Sequence, residues 1–428
     1  MSKFSNIIYP VIKPAAGLGL KVYFKKILFT NKDRIPDDRP VLLVSNHPTA
    51  FLEPVLYATL FDKPIYSLVR GNFFENFWAR LGLESLNMIA IFRMRDGGVA
   101  GLRKNAMIFS KCYDLLSNGE YVMIMAEGFT KQQKRLAPLQ KGAARIAFGA
   151  AIESQLENLC IVPLGANFTY HEEFRSEVMI EVGEPLDISG YLDLYRQNKK
   201  EAVQVLTKDI ADLMKSTIVH INREEDDELF ENVVRIVRRE NLSSLFPVIE
   251  DYDERFRLEK SIADWLNNFS ENEKAGLQKL VQSYPYSTVL RSHKKIGIYF
   301  KLLGLFPFWL LGSIYRMIPF GIARWIVNNH VNQVEFVSPM RYGMGMLFII
   351  IWTLIICVFV GIFLGIGWIW LPFVLLVFIW ISVLYDDIRV CFQQNRNWRK
   401  LKTSDRLDAI RIENELSDKI QELSFNRP

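Results

Sequence analysis

The chain has 428 residues, half of them hydrophobic, with 30 Phe, 16 Tyr, 9 Trp and a formal net charge of +5. That much apolar and aromatic material excludes a disordered chain, and the length leaves room for about three domain-sized units. A charge of +5 over this length gives no footing for a nucleic-acid interface. The four cysteines, Cys112, Cys160, Cys357 and Cys391, are too far apart in sequence for a zinc site or a disulfide framework, which fits a reducing compartment.

Residues 1–32 hold six lysines and no acid. Within them AAGLGLKVYFKKILF (15–29) mixes apolar residues with lysines at near-helical spacing, so residues 1–35 are predicted to form a basic amphipathic helix on an anionic membrane surface. A plain surface helix with a solvated lysine face has the same pattern. Lysines interrupt every apolar stretch here, so no secretory leader is expected.

From 36 to 195 the pattern changes. Short β-rich runs recur: VLLVS (41–45), IYSLV (65–69), MIAIF (88–92), YVMIM (121–125), CIVPLGA (160–166) and VMIEV (178–182). Helical patterns lie between them, notably over 99–117 and 140–155. This alternation predicts an α/β domain, a mostly parallel sheet flanked by helices, and the continuous apolar runs fit a sheet covered on both faces. Residues 196–295 are charged and helical in pattern and are expected to form an accessory helical region. In 296–341 the apolar stretch LLGLFPFWLLGSI (302–314) is too short to cross a bilayer, so this segment is read as interfacial or re-entrant.

Residues 342–385 contain no Asp, Glu, Lys, Arg or His, a run of 44 residues. A bilayer core takes about 20 helical residues, so the run predicts a transmembrane hairpin with helices over 344–363 and 367–385. A buried hairpin in a soluble core is the alternative. Arg316, Arg324 and Arg341 precede it, Arg389, Arg396, Arg399, Lys400 and Lys402 follow, and the turn has no basic residue. The positive-inside rule then places both flanks, and the bulk of an integral membrane protein, on the cytoplasmic side. Residues 386–428 are expected to form a cytoplasmic C-terminal helix.

Chemistry is sought where the strands end. VLLVSNHPTAFLEP (41–54) sets His47 just past a strand and Glu53 on the helix that follows. An imidazole held by a carboxylate is a standard general base near neutral pH. A lone histidine in such a domain is more often structural, but further motifs follow in order. Asn46-His47 through Glu53-Pro54, Phe92-Arg93 in IAIFRMRDG, Glu127-Gly128-Phe129-Thr130 in YVMIMAEGFT with its continuation LAPLQKGAARIAF, Val162-Pro163-Leu164, and FRSEVMIEVGEPL (174–186) together resemble the membrane-bound glycerolipid acyltransferases. That family comprises the lysophosphatidic acid and glycerol-3-phosphate acyltransferases. Two departures stand out. Five residues rather than four separate His47 from the acid, as in a subset similar to the fungal glycerol-3-phosphate acyltransferases, and the acid is Glu53 where the family has Asp.

The resemblance implies that His47 is the general base and Glu53 its partner. It implies substrate binding by Asn46, Arg93, Arg95, Glu127, Gly128, Thr130, Lys141, Arg145 and Pro163, with Arg93 foremost at a phosphate and backbone N–H groups near Glu127-Gly128 at an oxyanion. Lys141 and Arg145, four apart, also read as a solvated helix face. The implied reaction moves an acyl group from acyl-CoA or acyl-carrier protein to glycerol-3-phosphate or 1-acylglycerol-3-phosphate. It needs no metal and no other cofactor. Membrane lipid and the acyl donor are the implied partners, with no nucleic acid, and oligomeric state is not legible. Another lysolipid or amino-lipid acceptor, or a weakened homologue that only binds lipid, are the competing readings.

Overall fold

The structure is a computed structural model that describes residues 5–92, 94–238, 246–284 and 296–425. Contacts divide the chain into two compact units. The first is drawn from Met1–Ile218, Ile249–Asp253 and Val334–Pro339. Its elements are α1 (Ser5–Tyr23), β1 (Lys26–Thr30), β2 (Val41–Ser45), α2 (Leu52–Leu60), β3 (Ile65–Arg70), α3 (Phe77–Ser85), β4 (Met88–Ile91), α4 (Met94–Ser117, broken at Gly98), β5 (Tyr121–Met125), α5 (Gly142–Glu153), β6 (Cys160–Phe168), β7 (Glu177–Val182), β8 (Leu186–Asp187), α6 (Leu192–Gln197), α7 (Lys199–Thr217) and β9 (Ile249–Glu250).

The strands form one sheet in the order β4-β3-β5-β2-β6-β7-β1-β9, with β8 beside β6. All pairings are parallel except β6 with β7 and β6 with β8. Every residue of VLLVS is buried because the sheet is covered on both faces. Leu42 and Val44 point into a core closed by Cys112 and Leu116 of α4, Ala143 to Ala151 of α5, and Leu206, Ile210 and Met214 of α7. On the other face α1 packs on α2, and Phe61 meets the rings of Phe29, Tyr57 and Tyr121. The mostly parallel α/β architecture expected from the alternating runs is what forms.

Its limits differ from the expectation. The helix over 15–29 ends at Tyr23, and KILFT becomes the buried strand β1 between β7 and β9. The lysine that made Lys26 look like a surface residue is buried against Glu250, which lies 224 positions away. Lys13 of α1 likewise donates to the Phe61 carbonyl at 2.6 Å instead of pointing into solvent. At the other end α6 and α7 belong to this unit, so it runs to Ile218 rather than 195.

The second unit is drawn from Val219–Val248, Glu254–Gln333 and Met340–Pro428. It contains α8 (Asp227–Val237), α9 (Glu254–Asn267), α10 (Glu271–Gln282), α11 (Ile296–His330), α12 (Val334–Phe363, its first residues in the first unit), α13 (Leu371–Lys400) and α14 (Thr403–Phe425). Helix α14 packs on α8 and α9, where the Tyr284 hydroxyl donates to Glu413 at 2.8 Å. Among the described residues, three helical segments are long and apolar enough to cross a membrane: Tyr299–His330, Val334–Phe363 and Ile366–Lys400. The apolar stretch 302–314 is therefore the middle of a longer helix, because Lys301, Arg316, Pro307 and Pro319 are carried inside α11 without ending it. The hairpin helices also run past the charge-free stretch, α12 starting before 344 and α13 continuing to Lys400.

Helices α11 and α13 run antiparallel, since Tyr299 meets Phe392, Trp309 meets Tyr385 and Phe308 meets Phe378. A Cβ on Gly312 would sit 2.0 Å from the Phe378 carbonyl oxygen, so the crossing is closed backbone to backbone. Arg316 pairs with Asp386, and the Trp309 indole N–H donates to the same carboxylate at 3.0 Å.

Candidate active site

Strands β2 and β5 are parallel neighbours, and their C-terminal ends carry Ser45-Asn46-His47 and Ala126-Glu127-Gly128. Ligand sites of parallel sheets form at this edge, where loops leave the strand ends. The chain after β2 turns through Pro48 and Thr49 into α2, which returns Glu53 toward the loop. His47 Nδ1 lies 3.3 Å from Glu53 Oε2, and the Glu53 side chain is wholly buried. With Nδ1 facing a carboxylate, the imidazole proton belongs on Nδ1 and the lone pair on Nε2, the arrangement of a general base.

The extra methylene of Glu53 has a structural counterpart. Its Oε1 accepts the Thr49 backbone N–H at 2.6 Å and the Thr49 hydroxyl at 2.7 Å, leaving Oε2 for the imidazole. Sequence reading did not single out Thr49. The signal was its place two residues after His47 and four before Glu53, within reach of a side chain returning on a helix.

Glu127 was expected at substrate, and the structure gives it other work. Its two carboxylate oxygens accept backbone N–H groups, His47 at Oε2 and Ala137 at Oε1, both at 2.8 Å. Burial raises its carboxyl above the ordinary glutamate range, and the N–H groups of Ala137 and His47 partly offset this. Asn46 is corrected in the same way. Its amide oxygen accepts the Ala166 N–H at 2.8 Å and its amide N–H donates to the Ala166 carbonyl at 3.0 Å, so it continues the β2–β6 ladder past the last strand residue. Both residues fix the His47 loop.

Gly128 takes a left-handed φ of 70°, and a Cβ there would sit 2.8 Å from Gln140 Cγ. That conformation suits glycine and lets the loop from β5 turn at once toward α5. Its N–H donates to the Met125 carbonyl at 3.2 Å. Pro163 is buried within β6 opposite Val44. Its carbonyl accepts from Gly183 between the ends of β7 and β8, so the N–H that proline lacks falls where the ladder on that side is interrupted.

Thr130 lies half-buried in the loop after β5, and Lys141 and Arg145 stand exposed at the start of α5, with no ion pair among the described residues. Arg93 lies outside the described residues, and only the backbone of Arg95, in α4, is described. Phe92, just before Arg93, is firmly placed: Asn105 Oδ1 accepts its N–H at 3.0 Å and Asn105 Nδ2 donates to its carbonyl at 2.7 Å. Asn105 was not foreseen, its only signal being a polar residue in an otherwise helical run. Nor were the first residues of α12, where the Glu335 carbonyl accepts the Ala50 N–H at 3.1 Å and Ser338 donates to the His171 carbonyl. No group of metal-ligating side chains occurs among the described residues.

Comparison with known proteins follows the same stretch of chain. Residues 26–166 match the family described as Acyltransferase. Among curated proteins, glycerol-3-phosphate O-acyltransferase 2 of Saccharomyces cerevisiae is 30% identical over 136 residues, which is 32% of this chain and 18% of the yeast protein. Glycerol-3-phosphate O-acyltransferase 1 of the same yeast is 25% identical over 168 residues, 37% of this chain and 22% of its own. This chain thus spans about a fifth of the length of those relatives. A solved structure, the 1-acyl-sn-glycerophosphate (LPA) acyltransferase PlsC from Thermotoga maritima, aligns with 50% of this chain and 80% of its own at 15% identity and a TM-score of 0.36.

Proposed function

We propose, since residues 26–166 match the family described as Acyltransferase, that the chain transfers a fatty acyl group from a thioester, acyl-CoA or acyl-carrier protein, to a hydroxyl of glycerol-3-phosphate or 1-acylglycerol-3-phosphate. One observation carries this: His47 Nδ1 faces the buried Glu53 carboxylate at 3.3 Å, at the C-terminal edge of a parallel sheet. His47 Nε2 takes the acceptor's hydroxyl proton as its oxygen attacks the thioester carbonyl. Glu53 stabilises the imidazolium that forms, which returns its proton to the sulfur as the C–S bond breaks, so that the donor leaves as a thiol and His47 is neutral again. A thioester is already activated, so direct transfer proceeds without a cofactor or a covalent enzyme intermediate.

The acceptor phosphate calls for cations. Lys141 and Arg145 beside the first turn of α5, with Arg93 and Arg95 from the second motif, are the side chains proposed to meet it. Thr130 borders the same loop. The name of the yeast relatives supports glycerol-3-phosphate as the first acceptor to test.

Membrane topology follows from two sets of contacts. Helix α14 packs on α8 and α9, so the segments before α11 and after α13 share a side and an even number of crossings separates them. The first turn of α12 is bonded to the catalytic loop through Ala50 and to the His171 carbonyl, and among the described residues no long apolar helix intervenes between β2 and α11. Both ends of α11 therefore belong on one side, which supports a re-entrant or interfacial α11 and two crossings by α12 and α13. The flanking arginines and lysines favour the cytoplasm for that side.

The test is an acceptor panel. Membranes carrying the protein are given labelled acyl-CoA and acyl-carrier protein with glycerol-3-phosphate, lysophosphatidate or a phosphate-free lysolipid. A phosphate-bearing acceptor is expected to be labelled, and His47→Ala to reduce labelling by a factor of about 10² to 10⁴, the range for losing a general base. Undiminished labelling in His47→Ala removes the mechanism. Equal use of phosphate-free acceptors removes the acceptor assignment.

A further inference from the structure

The connection that leaves β3 carries an aromatic surface that neither the core nor the acyl-transfer chemistry uses. Residues 75–80 are all exposed, and Phe73, Phe77 and Trp78 are 48%, 58% and 76% exposed. These side chains are not on a frayed end. Asn76 caps α3 by accepting the N–H groups of Trp78 at 2.8 Å and Ala79 at 3.3 Å, so the helix holds its first turn outward. The Arg80 guanidinium stands 5.8 Å over the Phe77 ring. Helix α1 packs against α3 and adds exposed Val11 and Leu18, seven residues apart and so on one helix face.

Position gives this surface its meaning. β3 is parallel to β5, as β2 is, so its C-terminal end opens on the same sheet edge as His47. Two strand spacings, about 10 Å, separate β3 from β2. Elsewhere in this unit the large aromatics Tyr57, Phe24 and Phe148 are fully buried, and a soluble surface seldom keeps three neighbouring aromatics in water.

We infer that the β3–α3 connection is a second membrane contact, with Phe73, Phe77 and Trp78 seated in the interfacial layer of a lipid bilayer and the mouth of the active site turned to that layer. A bilayer is the occupant that the residues fit. Trp and Phe with a neighbouring Arg is the composition of interfacial anchors, and helices able to cross a membrane hold the same chain within reach of lipid. The inference rests on that anchoring and on the position of the site, not on the identity of the acyl acceptor.

The experiment uses the full chain reconstituted into phosphatidylcholine–phosphatidylglycerol vesicles. The four native cysteines are buried, so Trp78→Cys can be labelled selectively with an environment-sensitive fluorophore. Asp38→Cys, exposed just before β2 at the opposite sheet edge, is the control. The label at 78 is expected to shift to the blue and to be quenched by bromines on lipid acyl chains more than by aqueous iodide, with the order reversed at 38. Equal access of iodide at the two positions overturns the inference. Shielding of position 78 from both quenchers also overturns it, because a protein partner or a second copy then covers the patch. In a second measurement, Phe77→Ser/Trp78→Ser is expected to raise KM severalfold for a long-chain donor presented in vesicles and to leave kcat on a short-chain soluble donor unchanged. A fall in kcat on the soluble donor means that the patch supports the fold or the site instead. Lipid quenching at 78 in a protein that transfers no acyl group leaves the contact standing and removes the proposed activity.

Discussion

The two units deal with water in opposite ways. In the α/β unit the apolar side chains of β2, β5 and β6 are enclosed, and the buried carboxylates Glu53 and Glu127 are met by backbone N–H groups and a hydroxyl. In α12 and α13 the buried side chains are apolar and polar alike, Val360, Ile379 and Val383 beside Thr353, Cys357 and Ser382, while large apolar residues, Ile350, Leu354, Val358 and Ile362, point outward. Leu354 is 60% exposed in the middle of α12. A protein in water cannot keep such a face, but lipid is as apolar as leucine and gives no reason to hide it. Burial therefore marks the core in one unit and the helix–helix seam in the other.

The largest effect expected comes from breaking the carboxylate side of this contrast. Glu127→Ala leaves the N–H groups of His47 and Ala137 buried without acceptors, at about 1–3 kcal/mol each, and releases the loop that aims the imidazole. Acyl transfer is expected to fall by about a hundredfold or more, as misplacement of a reacting group by an ångström does. Circular dichroism and membrane yield separate this from unfolding: activity lost with both retained is the expected result, and near-normal activity removes the positioning role.

That role also shows where the sequence stopped being legible. The strands could be read because a covered parallel sheet needs unbroken apolar runs, and His47 with Glu53 could be read because a side-chain pair is written in residue types and spacing. Glu127 and Asn46 were assigned to substrate because their partners are backbone groups, which every residue has and no sequence distinguishes. Strand β1 was hidden by Lys26, whose buried partner Glu250 lies far along the chain. Pro163 sits in a central strand, where its missing N–H falls in the gap between the β7 and β8 pairings, a placement that no residue type announces. The length of α11 was missed because Lys301 and Arg316, which it carries inside, bound the apolar stretch 302–314 in the sequence.

Next in size is the lipid side of the contrast. Leu354→Asp puts a carboxylate on the outward face of α12, which costs about 2.5–3.5 kcal/mol at the centre of a bilayer. Ile152→Asp changes a half-exposed apolar residue of α5 in the α/β unit, where surface substitutions stay within about 0.5 kcal/mol. Membrane-inserted protein, measured after carbonate extraction, is expected to drop sharply for Leu354→Asp alone. Equal behaviour of the two variants refutes the reversed burial.

Within the site, the length of the acid is the finer test. Glu53→Asp draws the carboxylate back by about one C–C bond, roughly 1.5 Å, from both Thr49 and the imidazole. The rate is expected to fall about ten- to a hundredfold with KM little changed. Undiminished activity means that the α2 backbone shifts to accept the shorter family residue.

Thr49→Val is the smallest change and isolates how Glu53 is held. The variant keeps the backbone N–H at 2.6 Å and the side-chain volume, and removes only the hydroxyl at 2.7 Å from Oε1. A hydrogen bond to a charged group contributes about 1.5–3 kcal/mol, and each 1.4 kcal/mol lost from transition-state stabilisation is about tenfold in rate. Because one N–H remains on the same oxygen, the carboxylate loosens rather than leaves, and a fall of about tenfold in kcat is expected, with KM unchanged. Thr49→Ser restores the hydroxyl without the methyl group and is expected to recover most of the rate. If Thr49→Ser is as slow as Thr49→Val, the methyl packing and not the hydroxyl is what the site needs, and the buried carboxylate is held by the backbone alone.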